Sequence, residues 1–141
     1  MDITEKIFDL IGGVNSNYIN LSNTEKLDIL NDLDEKWELL PKEKYENGDK
    51  SVLALFLMPE YISLSVFEKA SKWTDILLMD RKDDPSQVEF YKGILAFEQG
   101  MYDEAYNFFD IAYKDSKGRM FKEKDPKYLN FYKHPQKHVK Q

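Results

Sequence analysis

Apolar residues recur along this chain at spacings of three and four, the period of an amphipathic helix. Ile3, Ile7, Leu10 and Ile11 predict a first helix over about residues 2–11. Gly12-Gly13 stops it, and Asn15-Ser16-Asn17 reads as loop. Ser22 and Glu25 have the spacing of a capping box, in which each side chain satisfies the other's free backbone amide. Behind them Leu27, Leu30, Leu33, Trp37 and Leu40 form one apolar stripe, and Pro41 ends the helix. Lys42 to Asp49 reads as a polar loop. From about Lys50 a third helix begins, kinked or broken at Met58-Pro59 because proline removes an amide donor. Ser65 to Met79 resumes, with Phe67, Ala70, Trp73, Thr74 and Leu77 on one face. Asp80 to Asp84 is a charged loop, and Pro85 opens a helix that Gly100 closes. Asp103 to Tyr113 is its partner, and Asp125-Pro126 starts a short last helix carrying Tyr128, Leu129, Phe131 and Tyr132. Val52 to Leu57 is apolar enough for a buried strand, but its flanks are helical, and no convincing period of two occurs.

Two of these helix pairs are related. Gly93, Ala96, Gly100, Tyr102, Asp103, Glu104, Ala105, Phe109 and Ala112 resemble a tetratricopeptide repeat. Gly93 and Ala105 are small where two helices cross closely, Gly100 supplies a left-handed turn, and Phe109 and Ala112 face the next hairpin. Glu89 and Lys92 stand where that repeat normally has apolar residues. A weaker copy lies upstream, where Phe67-Glu68-Lys69-Ala70 parallels Tyr102-Asp103-Glu104-Ala105 at an offset of 35 residues, with Ser65 in place of the turn glycine. The predicted fold is all-α: helical hairpins stacked as a short tetratricopeptide-like superhelix with a C-terminal capping helix. It forms one repeat domain over residues 1–133, followed by a disordered basic tail over 134–141. The helix pair in residues 2–40 serves as a third hairpin, which meets the roughly three units that such stacks need.

Composition narrows the chemistry. The chain has 141 residues and no cysteine, so thiol nucleophiles, disulfides and Cys-ligated metals are excluded. The longest apolar run, Val52 to Met58, falls far short of the roughly 20 residues of a membrane helix. With an acidic N-terminus that lacks a secretory pattern, this predicts a cytoplasmic protein with no membrane partner. Net charge is −6 but unevenly placed: residues 1–113 hold 23 acidic and 11 basic groups, and residues 114–141 hold 3 and 9. An acidic body repels phosphates, so nucleic acid is not an expected partner. The basic end either neutralises that body or touches an anion.

The segment Gly118-Arg119-Met120-Phe121, followed by Asp125-Pro126-Lys127-Tyr128-Leu129-Asn130-Phe131-Tyr132, carries a second resemblance. After a lone tetratricopeptide hairpin it is similar to small immunity proteins of bacterial polymorphic toxin systems of the Rhs, contact-dependent or LXG type. The resemblance covers about residues 50–133. It implies a cytoplasmic protein that binds and neutralises the C-terminal domain of a cognate toxin; a monomer or weak dimer is expected. A tetratricopeptide-type adaptor or secretion chaperone that holds a peptide segment is the alternative.

No catalytic constellation emerges, so the expectation is a binding protein without enzymatic activity, cofactor or metal. His134 and His138 are four apart, but Pro135 lies between them and no third ligand is evident. Two partner-binding candidates remain. Asp28, Asp32 and Glu35 form an acidic stripe that would meet a basic toxin surface, and that is also the pattern of a solvated helix face. Phe90, Ile94 and Phe97 would line the inner groove of a regular repeat array, or pack as core against a neighbouring hairpin.

Overall fold

A computed structural model describes residues 3–12, 17–46 and 48–139. Every regular element among them is helical: α1 (Ile3–Gly12), α2 (Asn23–Glu38), α3 (Lys50–Ser63), α4 (Phe67–Leu78), α5 (Pro85–Glu98), α6 (Tyr102–Ser116), α7 (Pro126–Lys133) and α8 (Gln136–Val139), with 3-10 turns at Tyr18–Asn20, Lys42–Tyr45 and Arg119–Phe121. The predicted all-α class is what the chain adopts. Gly13, Asn15 and Ser16 of the predicted first loop, and Lys140 of the tail, lie outside the described residues. Two compact units make up the chain, residues 1–77 and 78–141. Residues 136–139 of the basic end form α8.

The 35-residue offset seen in the sequence holds for the backbone. Adding 35 to the limits of α3 gives those of α5, and adding 35 to the start of α4 gives the start of α6. The turns match bond for bond. The Ser65 and Val66 amides donate to the carbonyls of Ile62 and Tyr61, both at 2.9 Å, and the Gly100 and Met101 amides to those of Phe97 and Ala96 at 3.0 and 2.9 Å. This is the left-handed helix end that favours glycine. Gly100 takes it at φ 79°, and Ser65 takes it at φ 60° despite its Cβ.

In the first unit the predicted apolar stripe of α2 is buried at Leu30, Leu33 and Trp37. Its N-terminus is closed by the expected capping box: the Glu25 amide donates to Ser22 Oγ and the Ser22 amide to Glu25 Oε1, both at 3.2 Å. Tyr61 on α3 donates to Asn31 Oδ1 on α2 at 2.9 Å, and Tyr18 donates to Glu60 Oε1 at 2.7 Å. The Trp37 and Trp73 rings meet edge to face at 5.3 Å.

Two local features refine the sequence expectations. First, of the kinked or broken helix expected at Met58-Pro59, the break does not occur: α3 runs from Lys50 to Ser63 with Pro59 inside it. The carbonyl that loses its amide partner belongs to Leu55, four residues back. Both Leu55 and Pro59 are exposed, so this turn lies on the solvent side of the helix, where a freed carbonyl costs least. Second, Lys42 to Asp49 is not simply a polar loop. Lys42–Tyr45 forms a 3-10 turn, and Lys44 is 4% exposed. Its Nζ donates to the Trp37 carbonyl at 2.6 Å and lies 4.8 Å from the Trp37 ring centroid. A lysine can enter such a site because its stem is apolar and its head finds a carbonyl and a ring face.

In the second unit Asp84 caps α5 by accepting from the Gln87 amide at 3.2 Å, with Pro85 at the first helical position. Gly93 is the close approach: a Cβ there would lie 2.5 Å from a Phe109 ring carbon. Phe109 thus packs inside its own hairpin instead of facing another one. It is covered by Phe121, Tyr128 and Phe131, at 5.5, 5.8 and 6.1 Å between ring centroids. Asp125 caps α7 by accepting from the Lys127 amide at 3.1 Å, so the short last helix does lid the hairpin as predicted.

Candidate functional site

The acidic stripe is built by helix geometry. Because α2 turns 3.6 residues at a time, burying Leu30, Leu33 and Trp37 on one side forces Asp28, Asp32 and Glu35 onto the other. All three are exposed. Asp32 is paired with Lys36 at 2.9 Å, an exposed i,i+4 bridge that offsets part of its charge, whereas Asp28 and Glu35 keep theirs. Residues 1–77 contain 15 acidic and 8 basic side chains, so the unit bearing the stripe is strongly negative.

Asp34 sits between stripe residues in sequence but points the other way, and at 2% exposure it is buried. It accepts from Lys69 Nζ at 2.5 Å, Lys72 Nζ at 2.8 Å and Trp73 Nε1 at 2.8 Å, all on α4. Burial pushes its carboxyl up, but these three donors overcome that and hold it below the usual carboxylate range. Lys72 also pairs with Glu38 at 2.5 Å. Burial lowers its ammonium, and the hydrogen bonds to Asp34 and Glu38 outweigh that and raise it. Burial lowers Lys44. This cluster fixes the rotation of α2 on α4, and hence the direction in which the stripe faces. The sequence reading missed it, since an Asp between two stripe acids looks like one more solvated residue. The available signal was its place among Leu30, Leu33 and Trp37 on the helical wheel.

The aromatic line has a different setting. Phe90 and Ile94 are buried and Phe97 is half-buried. Phe90 packs under Phe121 and Tyr128 at 5.0 and 6.0 Å, and Phe97 under Tyr128 and Phe131 at 5.7 and 5.0 Å. The groove side of α5 is therefore occupied by the chain's own C-terminal segment, and a partner reaches Phe90 only if that segment leaves. The cover is tied down: Tyr132 donates to Asp110 Oδ1 at 2.6 Å, and Lys127 pairs with Glu98 at 2.8 Å. Hydrogen bonds from Tyr132 and Lys114 hold Asp110 below the ordinary carboxylate range.

Elsewhere in this unit a cleft is lined by Asp103, Tyr106, Asn107, Pro135 and Gln136. His134 is exposed, and among the described residues no three His, Cys, Asp or Glu side chains gather as metal ligands. Nor is any helix among them long and apolar enough to cross a membrane.

These features define a class: an all-α protein with a duplicated helix–turn–helix element, an acidic helical face in one unit and an aromatic, self-capped hairpin in the other. Comparison with protein-family models, with curated proteins and with solved structures finds no match.

Proposed function

We propose that this protein is a cytoplasmic immunity protein that binds and neutralises the toxic C-terminal domain of a cognate bacterial toxin. The observation that carries the reading is the acidic face of α2. Asp28, Asp32 and Glu35 project outward from a helix locked by the buried Asp34 cluster, within a unit of 15 acidic and 8 basic groups. A negative helix face suits a folded basic protein. It speeds encounter and orients the partner, while tight contact sets the residence time. The motif of Gly118-Arg119-Met120-Phe121 followed by Asp125 to Tyr132 supplies the resemblance to such proteins.

The adaptor reading keeps one observation in its favour, the 35-residue helical repeat itself. The experiment that decides is co-expression with the toxin domain encoded directly upstream of this gene. Co-purification as a stoichiometric complex, with rescue of growth, supports immunity. An upstream gene that encodes no toxin, or a toxin domain that neither co-purifies nor is neutralised, sinks it.

A further inference from the structure

The exact 35-residue correspondence allows one helix face to be read from the other. On α5, Phe90, Tyr91 and Ile94 are buried, and Phe90 lies beneath the aromatic rings of the Arg119–Phe121 turn and α7. Their equivalents on α3 are Leu55, Phe56 and Pro59. Leu55 is 43% exposed, Val52 one turn earlier is 42% exposed, Pro59 is exposed and Phe56 is half-buried. The same face of the same repeat element is thus roofed by rings of the C-terminal segment in the second unit, whereas in the first Val52, Leu55 and Pro59 are exposed and Phe56 beside them meets the Tyr18 ring edge to face at 5.6 Å. A contiguous apolar helix face in water is a signature of an interaction site.

The cover on α5 shows what chemistry fits such a face. It is a short helix with Tyr128 and Phe131 three residues apart, set in a segment in which residues 119–133 hold five basic and two acidic groups. The unit bearing the open face carries 15 acidic and 8 basic groups, so a positively charged occupant is complementary to it. We propose that the α3 face formed by Val52, Leu55 and Pro59, bordered by the Tyr18–Phe56 ring contact, receives a short basic helix of the partner protein that carries aromatic side chains at i, i+3. This deepens the immunity reading and rests on it for the identity of the partner as a protein.

The test uses the full chain and a fluorescein-labelled synthetic peptide with the sequence of residues 119–133 as probe. Fluorescence anisotropy is expected to show saturable binding that weakens as salt rises. Leu55→Glu places a charge in the buried contact and is expected to weaken the peptide by about tenfold or more, with the melting temperature unchanged because Leu55 is exposed in the free chain. Absence of saturable binding overturns the proposal, as does binding that Leu55→Glu leaves intact, which would place the peptide away from the α3 face. A large drop in melting temperature for Leu55→Glu also overturns it, since the face would then already be covered within the chain. Toxin co-expression is a separate experiment: its failure with peptide binding intact removes the immunity reading alone, and the reverse outcome removes only the α3 site.

Discussion

Replacing Gly93 with alanine sets two physical effects against each other, and the structure decides between them. Intrinsic helix propensity favours alanine over glycine in a helix interior by about 1 kcal/mol. Against this, the new Cβ would stand 2.5 and 2.6 Å from two Phe109 ring carbons and 3.1 Å from a third. Ordinary carbon contacts lie at about 3.5–4.0 Å, so the ring has to retreat by about 1 Å. It has nowhere to go. Phe90, Phe121, Tyr128 and Phe131 surround it at 5.5–6.1 Å between centroids, and Phe109 is fully buried. Overpacking of this kind costs about 1–3 kcal/mol, and an enclosed ring belongs in the upper half of that range. The expected net effect is a loss of about 1–2 kcal/mol, or roughly 3–8 °C in melting temperature for a chain of this size. Urea unfolding followed by circular dichroism measures it. Phe109→Leu removes ring atoms from the clash, so the double variant should lose less than the sum of the single losses by about 1 kcal/mol. A Gly93→Ala protein as stable as the parent, or more stable, would refute the close crossing of α5 and α6.

Three further outcomes follow from the same geometry. Asp34→Asn should destabilise the chain by about 1–3 kcal/mol, the partial exposure of Lys69 and Lys72 keeping the loss below that of a fully buried pair. Because the folded-state value of Asp34 is depressed, its contribution is present above the ordinary carboxyl value near 4 and is lost as pH falls below it. Urea midpoints at pH 6 and pH 3 should therefore differ more for the parent than for Asp34→Asn, and equal differences would show that the cluster stabilises nothing. Ser65→Gly relieves a left-handed residue and should raise stability by about 0.5–1 kcal/mol; a loss would mean that the serine side chain itself holds the turn. Reversing the stripe with Asp28→Lys, Asp32→Lys and Glu35→Lys should slow toxin association and flatten its salt dependence while helix content stays constant, since exposed sites usually shift stability by no more than about 0.5 kcal/mol each. Unchanged association kinetics would reduce the stripe to a solvated face.

The sequence by itself determined the local architecture. Helical periodicity, the Ser22–Glu25 box, the Asp125 cap and the glycine turn at Gly100 all act through near neighbours in the chain, so their outcome is written in short windows. The 35-residue repeat was legible for the same reason, because one set of small and aromatic residues specifies one hairpin. Of the candidate site, the exposure of Asp28, Asp32 and Glu35 followed from which side of α2 was apolar. Only the tertiary structure decided the rest. Asp34 became a buried hub and not a fourth stripe acid because three donors on α4, 35 to 39 residues away, converge on it. Lys44 went inside because the Trp37 carbonyl and ring offered its ammonium a site that a polar sequence pattern does not announce. Pro59 left α3 continuous because that turn faces water. Phe90 and Ile94 became core while their equivalents on α3 stayed open, although both helices carry apolar residues there. The difference lies in whether a distant segment of chain folds back to cover them, and periodicity along a single helix does not specify that.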